Sequence, residues 1–301
     1  MRSMGPRSSI TRVGRSVVWL DTAPFNKAWS QRGTRKYRAS PMRRRTGVLI
    51  ALALLAACAH VPPPGLRFSQ PVVLLGEVHD NAAQHALRLR AFEDWLASGA
   101  RPALVMEQFD RERQPAIDRL RAQTPPPDAD ALIAVAGGAG WQWPHYRPFV
   151  ALALRYGLPI IAANVSRDEG RIVMRAGLAA TGFDAAMPPE LLDAQASGIE
   201  ASHCGAIDGA AARRLALVQV ARDQAMAAAI EAHARRGVLL LAGNGHVRAD
   251  IGVPRWLSSA TRARSEAIGL LEDGAADPGR FDHVVVTEAQ PRPDPCEAMR
   301  R

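Results

Sequence analysis

Val72-Val73-Leu74-Leu75-Gly76-Glu77-Val78-His79-Asp80 is the stretch on which the fold turns. Four consecutive apolar residues, two of them β-branched, closed off by a glycine, form a strand buried on both faces. Similar runs recur at Ala103-Leu104-Val105-Met106, at 158–162, at Val238-Leu239-Leu240-Leu241-Ala242, at 267–271 and at Val284-Val285-Val286. Between them, residues 81–98, 145–156 and 208–235 carry apolar side chains at helical spacing. Strand followed by helix, repeatedly, predicts an α/β domain with a mainly parallel β-sheet flanked by helices. Two stretches exceed a simple crossover: 110–140, with Pro125-Pro126-Pro127 and Gly137-Gly138, and 168–235, which reads as helical throughout. They predict a small helical subdomain inserted beside the sheet. No internal repeat of fixed period is present.

In an open parallel sheet, ligands gather at the carboxyl ends of the strands. The polar residues with the most chemistry fall there. The first run ends in Gly76-Glu77-Val78-His79, the second in Glu107-Gln108, the third in Asn164 and the fourth in Gly243-Asn244-Gly245-His246. Glu77 and His79, two apart, share a face if the strand runs through them. Glu77, His79, Glu107 and His246 together have the chemistry to ligate a divalent metal ion or to move protons. Each alone has a plainer reading, since a strand-end glutamate is often a helix cap and a single histidine often a satisfied core residue. His60, His233 and His283 sit in linker, helix and strand contexts that solvation or packing explains. His85, on the helix after the first motif, is placed to face a pocket.

The charge of the chain is divided. The formal net charge is +9, but residues 1–57 hold 12 Lys and Arg against one acid, Asp21, and the remainder balances at −2. A domain with that balance has no cationic field for phosphate backbones, so nucleic-acid binding is excluded. Both lysines, Lys27 and Lys36, lie in the first segment, which rules out Schiff-base chemistry and a P-loop lysine in the domain. No Gly-x-Ser-x-Gly elbow, Gly-x-Gly-x-x-Gly turn, His-Glu-x-x-His helix or Cys-x-x-Cys-His haem attachment occurs.

From Met42 a run of arginines precedes ten apolar residues, Val48 to Ala57, then Cys58. This is the pattern of a secretion signal, too short to span a bilayer. Residues 1–41 read as an over-extended start or a basic arm, 42–57 as the signal, 58–70 as a linker stiffened by Pro62-Pro63-Pro64, and 71–301 as the domain. Leu55-Ala56-Ala57-Cys58 resembles the lipobox of bacterial lipoproteins, which implies acylation of Cys58. Ala59 in place of aspartate points to an outer-membrane anchor facing the periplasm. In that oxidising compartment Cys204 and Cys296 are expected to pair, with two buried free thiols as the alternative.

The strand-end motifs, with Met106-Glu107-Gln108-Phe109-Asp110-Arg111, Asn164, His203-Cys204-Gly205, the segment from Gln219 through Arg222-Asp223 to Met226, and Gly243-Asn244-Gly245-His246-Val247-Arg248, together resemble the ChaN-like haem-binding lipoproteins. The resemblance runs from about residue 71 to Cys296. In its two Gly-x-x-His segments the family is similar to the Tiki metalloproteases and, more distantly, to the erythromycin esterases. It implies a parallel α/β domain, a lipid anchor, and haem held between two protomers by a tyrosine with a histidine nearby.

The tyrosine that this implies is Tyr146, in Trp141-Gln142-Trp143-Pro144-His145-Tyr146, because Tyr156 reads as a helix-end residue. A phenolate ligates ferric iron, and the tryptophans offer a flat apolar wall. Core packing of an aromatic cluster is the competing reading, and His145 is the competing ligand. Asn164, His79 and His246 are then expected to line the same cofactor pocket. Two functions follow as expectations. The first is a haem-binding lipoprotein serving iron acquisition, a homodimer that passes haem to or from an outer-membrane receptor or transporter. The second is a metal-dependent hydrolase using Glu77, His79, Glu107 and His246, in which a bound ion acidifies water.

Overall fold

The computed structural model describes residues 9–12, 65–275, 278–294 and 296–297. Cys58, the segment 42–57 and Pro62-Pro63-Pro64 lie outside the described residues. The described strands are β1 (Ser9–Arg12), β2 (Val72–Leu75), β3 (Ala103–Asp110), β4 (Ile160–Asn164), β5 (Val238–Leu241), β6 (Ser265–Glu272) and β7 (His283–Thr287). They form one sheet in the order β1-β7-β6-β2-β5-β3-β4, every pair parallel. The segment 1–41, for which the sequence offers no periodicity, supplies β1 on the outer side of β7.

Alternate residues of each strand feed different cores, as the pleat requires. Val73, Leu75, Leu104, Met106, Leu239 and Leu241 face one way. They pack on Phe92 and Leu96 of α1 (Ala82–Ala97) and Phe149 of α4 (Trp143–Arg155). Val72, Leu74, Val105, Val238 and Leu240 face the other way, onto Met226, Ala227 and Ile230 of α7 (Gly209–His233). The long insertions divide between these faces. Helices α2 (Gln114–Arg121) and α3 (Ala129–Ala136) bury Ile117 and Leu132 in the first core. Helices α5 (Arg167–Ala176) and α6 (Pro189–Ser202) build a separate cluster on α7. The first insertion draws Ile117 and Leu132 into the sheet's own core, and the second packs its helices on α7.

The linker gives way to packed chain at Leu66, earlier than the expected boundary at 70. Leu66 and Phe68 lie against the first core, and Phe68 meets Trp95 edge to face at 5.2 Å. The Ser69 and Gln70 amides donate to the buried Glu266 carboxylate at 2.6 and 3.0 Å. At the other end, Arg292 grips Asp80 and Glu272, and Cys296 is disulfide-bonded to Cys204 across a Cα separation of 5.6 Å. Cys204 has φ 55°, a left-handed conformation in the turn that follows α6.

Candidate functional site

The neighbouring strands β2, β5 and β3 end side by side, and their carboxyl-end loops carry most of the groups singled out above. Strand β2 stops at Leu75, so Glu77 and His79 lie just beyond it and the assumption of a continuous strand fails. Their side chains still meet, His79 Nδ1 lying 2.7 Å from Glu77 Oε1. The loop is held in strand-like register by Gly76 N–H donating to Ile268 O (2.8 Å) and Asn244 N–H donating to Glu77 O (3.0 Å). Gly76 is required there: a Cβ would stand 2.3 Å from Asn244 Oδ1.

Glu77 is buried, and both of its oxygens are contacted. Tyr146 donates its hydroxyl to Oε1, and Arg88, reaching from α1, forms an ion pair with Oε2. Arg88 is itself fully buried, donates to Leu75 O at 3.2 Å, and lies over the Phe149 ring. Desolvation lowers its pKa to about 10, which leaves it cationic at neutral pH. Tyr146 is fully buried, and desolvation pushes its phenol above the ordinary range. Its oxygen is 3.5 Å from His79 Nδ1. His79 is the outermost member, with half its side chain exposed and Trp141 edge-on at 5.0 Å.

A second group lies beside the first. Glu107 accepts from Gly243 N–H at 2.8 Å, and its other oxygen is 3.5 Å from His246 Nε2. His246 Nδ1 is 2.6 Å from Asp223 of α7, which also accepts from Gln195 at 3.2 Å. Burial opposes charge on His246, but Glu107 and Asp223 together overcome it and raise its pKa to about 10. Burial likewise opposes the charge of Glu107, and the neighbouring imidazolium outweighs it, bringing that carboxyl to about 2. Gly243 separates the groups at close range: a Cβ there would lie 3.1 Å from His79 Nε2 and 3.8 Å from Glu107 Oε2.

The raised His246 pKa fixes a pH dependence. A base whose folded pKa exceeds its unfolded value of about 6.5 adds stability that is complete below that value and lost as pH rises towards about 10. Denaturant titrations from pH 6 to 10 are expected to show the wild type losing stability across that window. The Asp223→Asn variant should show a smaller loss, because its His246 is held less firmly as a cation.

The four expected metal ligands thus fall into two pairs, Glu77 with His79 and Glu107 with His246, each paired internally. Among the described residues no three His, Cys, Asp or Glu side chains are arranged around one metal position. His79, Tyr146 and Asn164 line a cleft of about 750 Å³ bounded by the Gly138–Trp141 loop and by the residues that enter α5. Asn164 is spent locally, accepting from Val165 N–H at 2.9 Å. His145 is not among the cleft's lining residues, and its ring stacks on buried His85 at 4.3 Å with the planes 3° apart. His85 donates from Nε2 to His79 O at 2.9 Å and sets Nδ1 3.4 Å from Arg88 Nη1 and 3.6 Å from Glu77 Oε2, and desolvation lowers its pKa to about 4. His203 turns back onto Ile199 O at 2.8 Å, at the end of α6.

Arg88 and Asp223 are the members that the strand-end motifs do not reveal. Arg88 has a signal, since it interrupts the inward face Gln84-Arg88-Ala91-Phe92 of α1. Asp223 falls inside α7 among Val220, Ala221 and Met226, where an acid needs a buried partner.

Of the paired acids and histidines only His79 reaches the cleft; His246, expected in the same pocket, lies outside its lining because Glu107 and Asp223 hold it inward. A parallel α/β domain with such groups at its strand ends, beside a cleft, is a ligand-binding or catalytic domain of the kind that uses strand-end loops. Residues 68–257 match the model of the family described as haem-binding uptake, Tiki superfamily, ChaN, and the chain belongs to that family. The solved structure titled cofacial heme binding to ChaN of Campylobacter jejuni is 22% identical, with 71% of this chain and 86% of that one covered at a TM-score of 0.61, so the two share a fold. An erythromycin esterase mutant, EreC, in its open conformation is 11% identical over 71% of this chain and 74% of that one, at a TM-score of 0.37. No curated protein matches the chain.

Proposed function

We propose that this chain is a haem-binding lipoprotein, anchored through Cys58 to the outer membrane and facing the periplasm, where it serves iron acquisition. The observation that carries the reading is the half-exposed His79 imidazole, set in a cleft beside Trp141. With Nδ1 on the Glu77 carboxylate, the ring carries its proton there and keeps Nε2 as the donor to a metal. Bound haem supplies a ferric centre that accepts a nitrogen or phenolate donor. Tyr146 fits this role less well than His79, since its hydroxyl is buried and given to Glu77. It sits instead as the tyrosine behind the histidine, securing the carboxylate that orients His79. His145 is spent on His85. A cleft of about 750 Å³ falls within the usual range for small-molecule sites. The C. jejuni ChaN structure is one of cofacial haem binding. A homodimer that encloses haem between facing clefts, and a receptor or transporter as the exchange partner, belong to this proposal.

The test is a titration of the full chain in mild detergent with ferric haem, read at the Soret band. Saturable binding that survives His145→Ala is the expected result. Absence of saturation overturns the proposal.

One observation favours a second reading, a hydrolase. The Asp223–His246–Glu107 chain is built as a proton-holding unit, and it lies against His79 across Gly243. If haem does not bind while a divalent metal is retained by the wild type and lost from His79→Ala/His246→Ala, this reading replaces the first.

A further inference from the structure

The cleft that holds His79 is lined by three arginines and three carboxylates. Arg113, Arg167 and Arg222 line it, and among the described residues none of the three forms an ion pair with a carboxylate. The acids on the same walls are engaged elsewhere. Asp168 is bridged to Arg171 within α5 at 2.5 Å, and Glu112 accepts from Ser166 Oγ at 2.7 Å. Asp110 is pushed toward its neutral form by burial and by Glu112, with Arg113 and Arg222 pulling the other way from a distance. The cleft therefore offers three guanidinium groups that no carboxylate of its own lining meets at ion-pair distance.

Arg222 is the most exacting of the three. It projects from α7, its Nε is buried with no partner, and Nη1 has one long contact, 3.5 Å to Gln219 Oε1. The guanidinium reaches the cleft through its terminal nitrogens, where a carboxylate can accept from both Nη atoms in two parallel bonds. The first turn of α5, through Ser166 and Arg167, lines the same wall and favours negative charge through its free amides.

We propose that Arg222, assisted by Arg113 and Arg167, is a carboxylate subsite of the cleft, and that the ligand is a flat apolar molecule carrying acid groups, received acid-first at Arg222 while its flat part reaches Trp141 and His79. The identity of the flat part as a porphyrin rests on the haem reading, and the acid groups are then its propionates.

The experiment compares metal-free protoporphyrin IX, its dimethyl ester and ferric haem on the full chain in mild detergent. Tryptophan quenching reads the first two and the Soret band the third. The wild type should bind the free acid at least ~10-fold more tightly than the ester. Arg222→Gln should weaken the acid by ~10-fold and leave the ester unchanged, and Arg222→Lys should recover part of the loss. The exposed pair Arg113→Gln/Arg167→Gln gives the same comparison if Arg222→Gln does not fold. Equal binding of acid and ester, or equal weakening of both by Arg222→Gln, overturns the subsite while saturable ferric haem keeps the haem reading. Acid-selective porphyrin binding with no iron-dependent band keeps the subsite and overturns iron ligation. No porphyrin binding at all overturns both.

Discussion

His79→Ala is expected to weaken ferric haem binding by at least ~100-fold, beyond the 10–100-fold typical of losing a group that merely orients a metal ligand. Of the side chains expected at a cofactor, His79 combines exposure to the cleft with a second ring nitrogen fixed by a buried carboxylate. Glu77→Gln should cost less, about 10-fold or more, because the ring keeps its place while losing the carboxylate that orients it. Tyr146→Phe should fall in that same lesser class, since it removes a donor to Glu77 and leaves His79 in place. The Soret maximum and the ferric charge-transfer bands check each point. If Tyr146→Phe abolishes a charge-transfer band and His79→Ala spares it, the phenolate is the ligand and the site must open to expose it.

Much of the fold is legible in the sequence because the strands are buried on both faces. Val238-Leu239-Leu240-Leu241 has no polar residue to spare, and its ends are marked by Gly237 and Gly243. Helix α1 starts where expected because Asn81 caps it, accepting from Gln84 N–H at 3.1 Å. The strand ends are legible as a chemical address for the same reason: charged groups directly after a buried strand need a purpose. Local pattern does not say which way Tyr146 points. Both Trp143 and Tyr146 are apolar enough for the core, and the choice is made by Glu77, 69 residues away in sequence. The division of the insertions between two faces has a similar origin, since helical periodicity fixes that a face is buried and leaves open against which side of the sheet. Pairing between distant elements also decides the fate of the four acids and histidines. Arg88 and Asp223 claim Glu77 and His246, and strand-end spacing contains neither partner.

The largest stability effect is expected at Arg88. Breaking a buried ion pair by removing one partner costs about 3–5 kcal/mol, because the remaining charge has neither water nor counter-ion. Arg88→Met keeps much of the aliphatic volume over Phe149 and strands the Glu77 carboxylate, which Tyr146 and His79 only partly compensate. Urea unfolding of Arg88→Met should therefore show a loss of that size. Glu77→Gln in the same chain should return a large part of it, since the amide removes the uncompensated charge. The return distinguishes an electrostatic cost from a packing cost, because a cavity left by arginine would persist in the double variant. It also bears on function. If the pair exists to hold Glu77 ionised beside His79, then Arg88→Met/Glu77→Gln will be stable and still bind haem weakly. A double variant that is stable and binds like the wild type would show that the buried pair serves the fold alone.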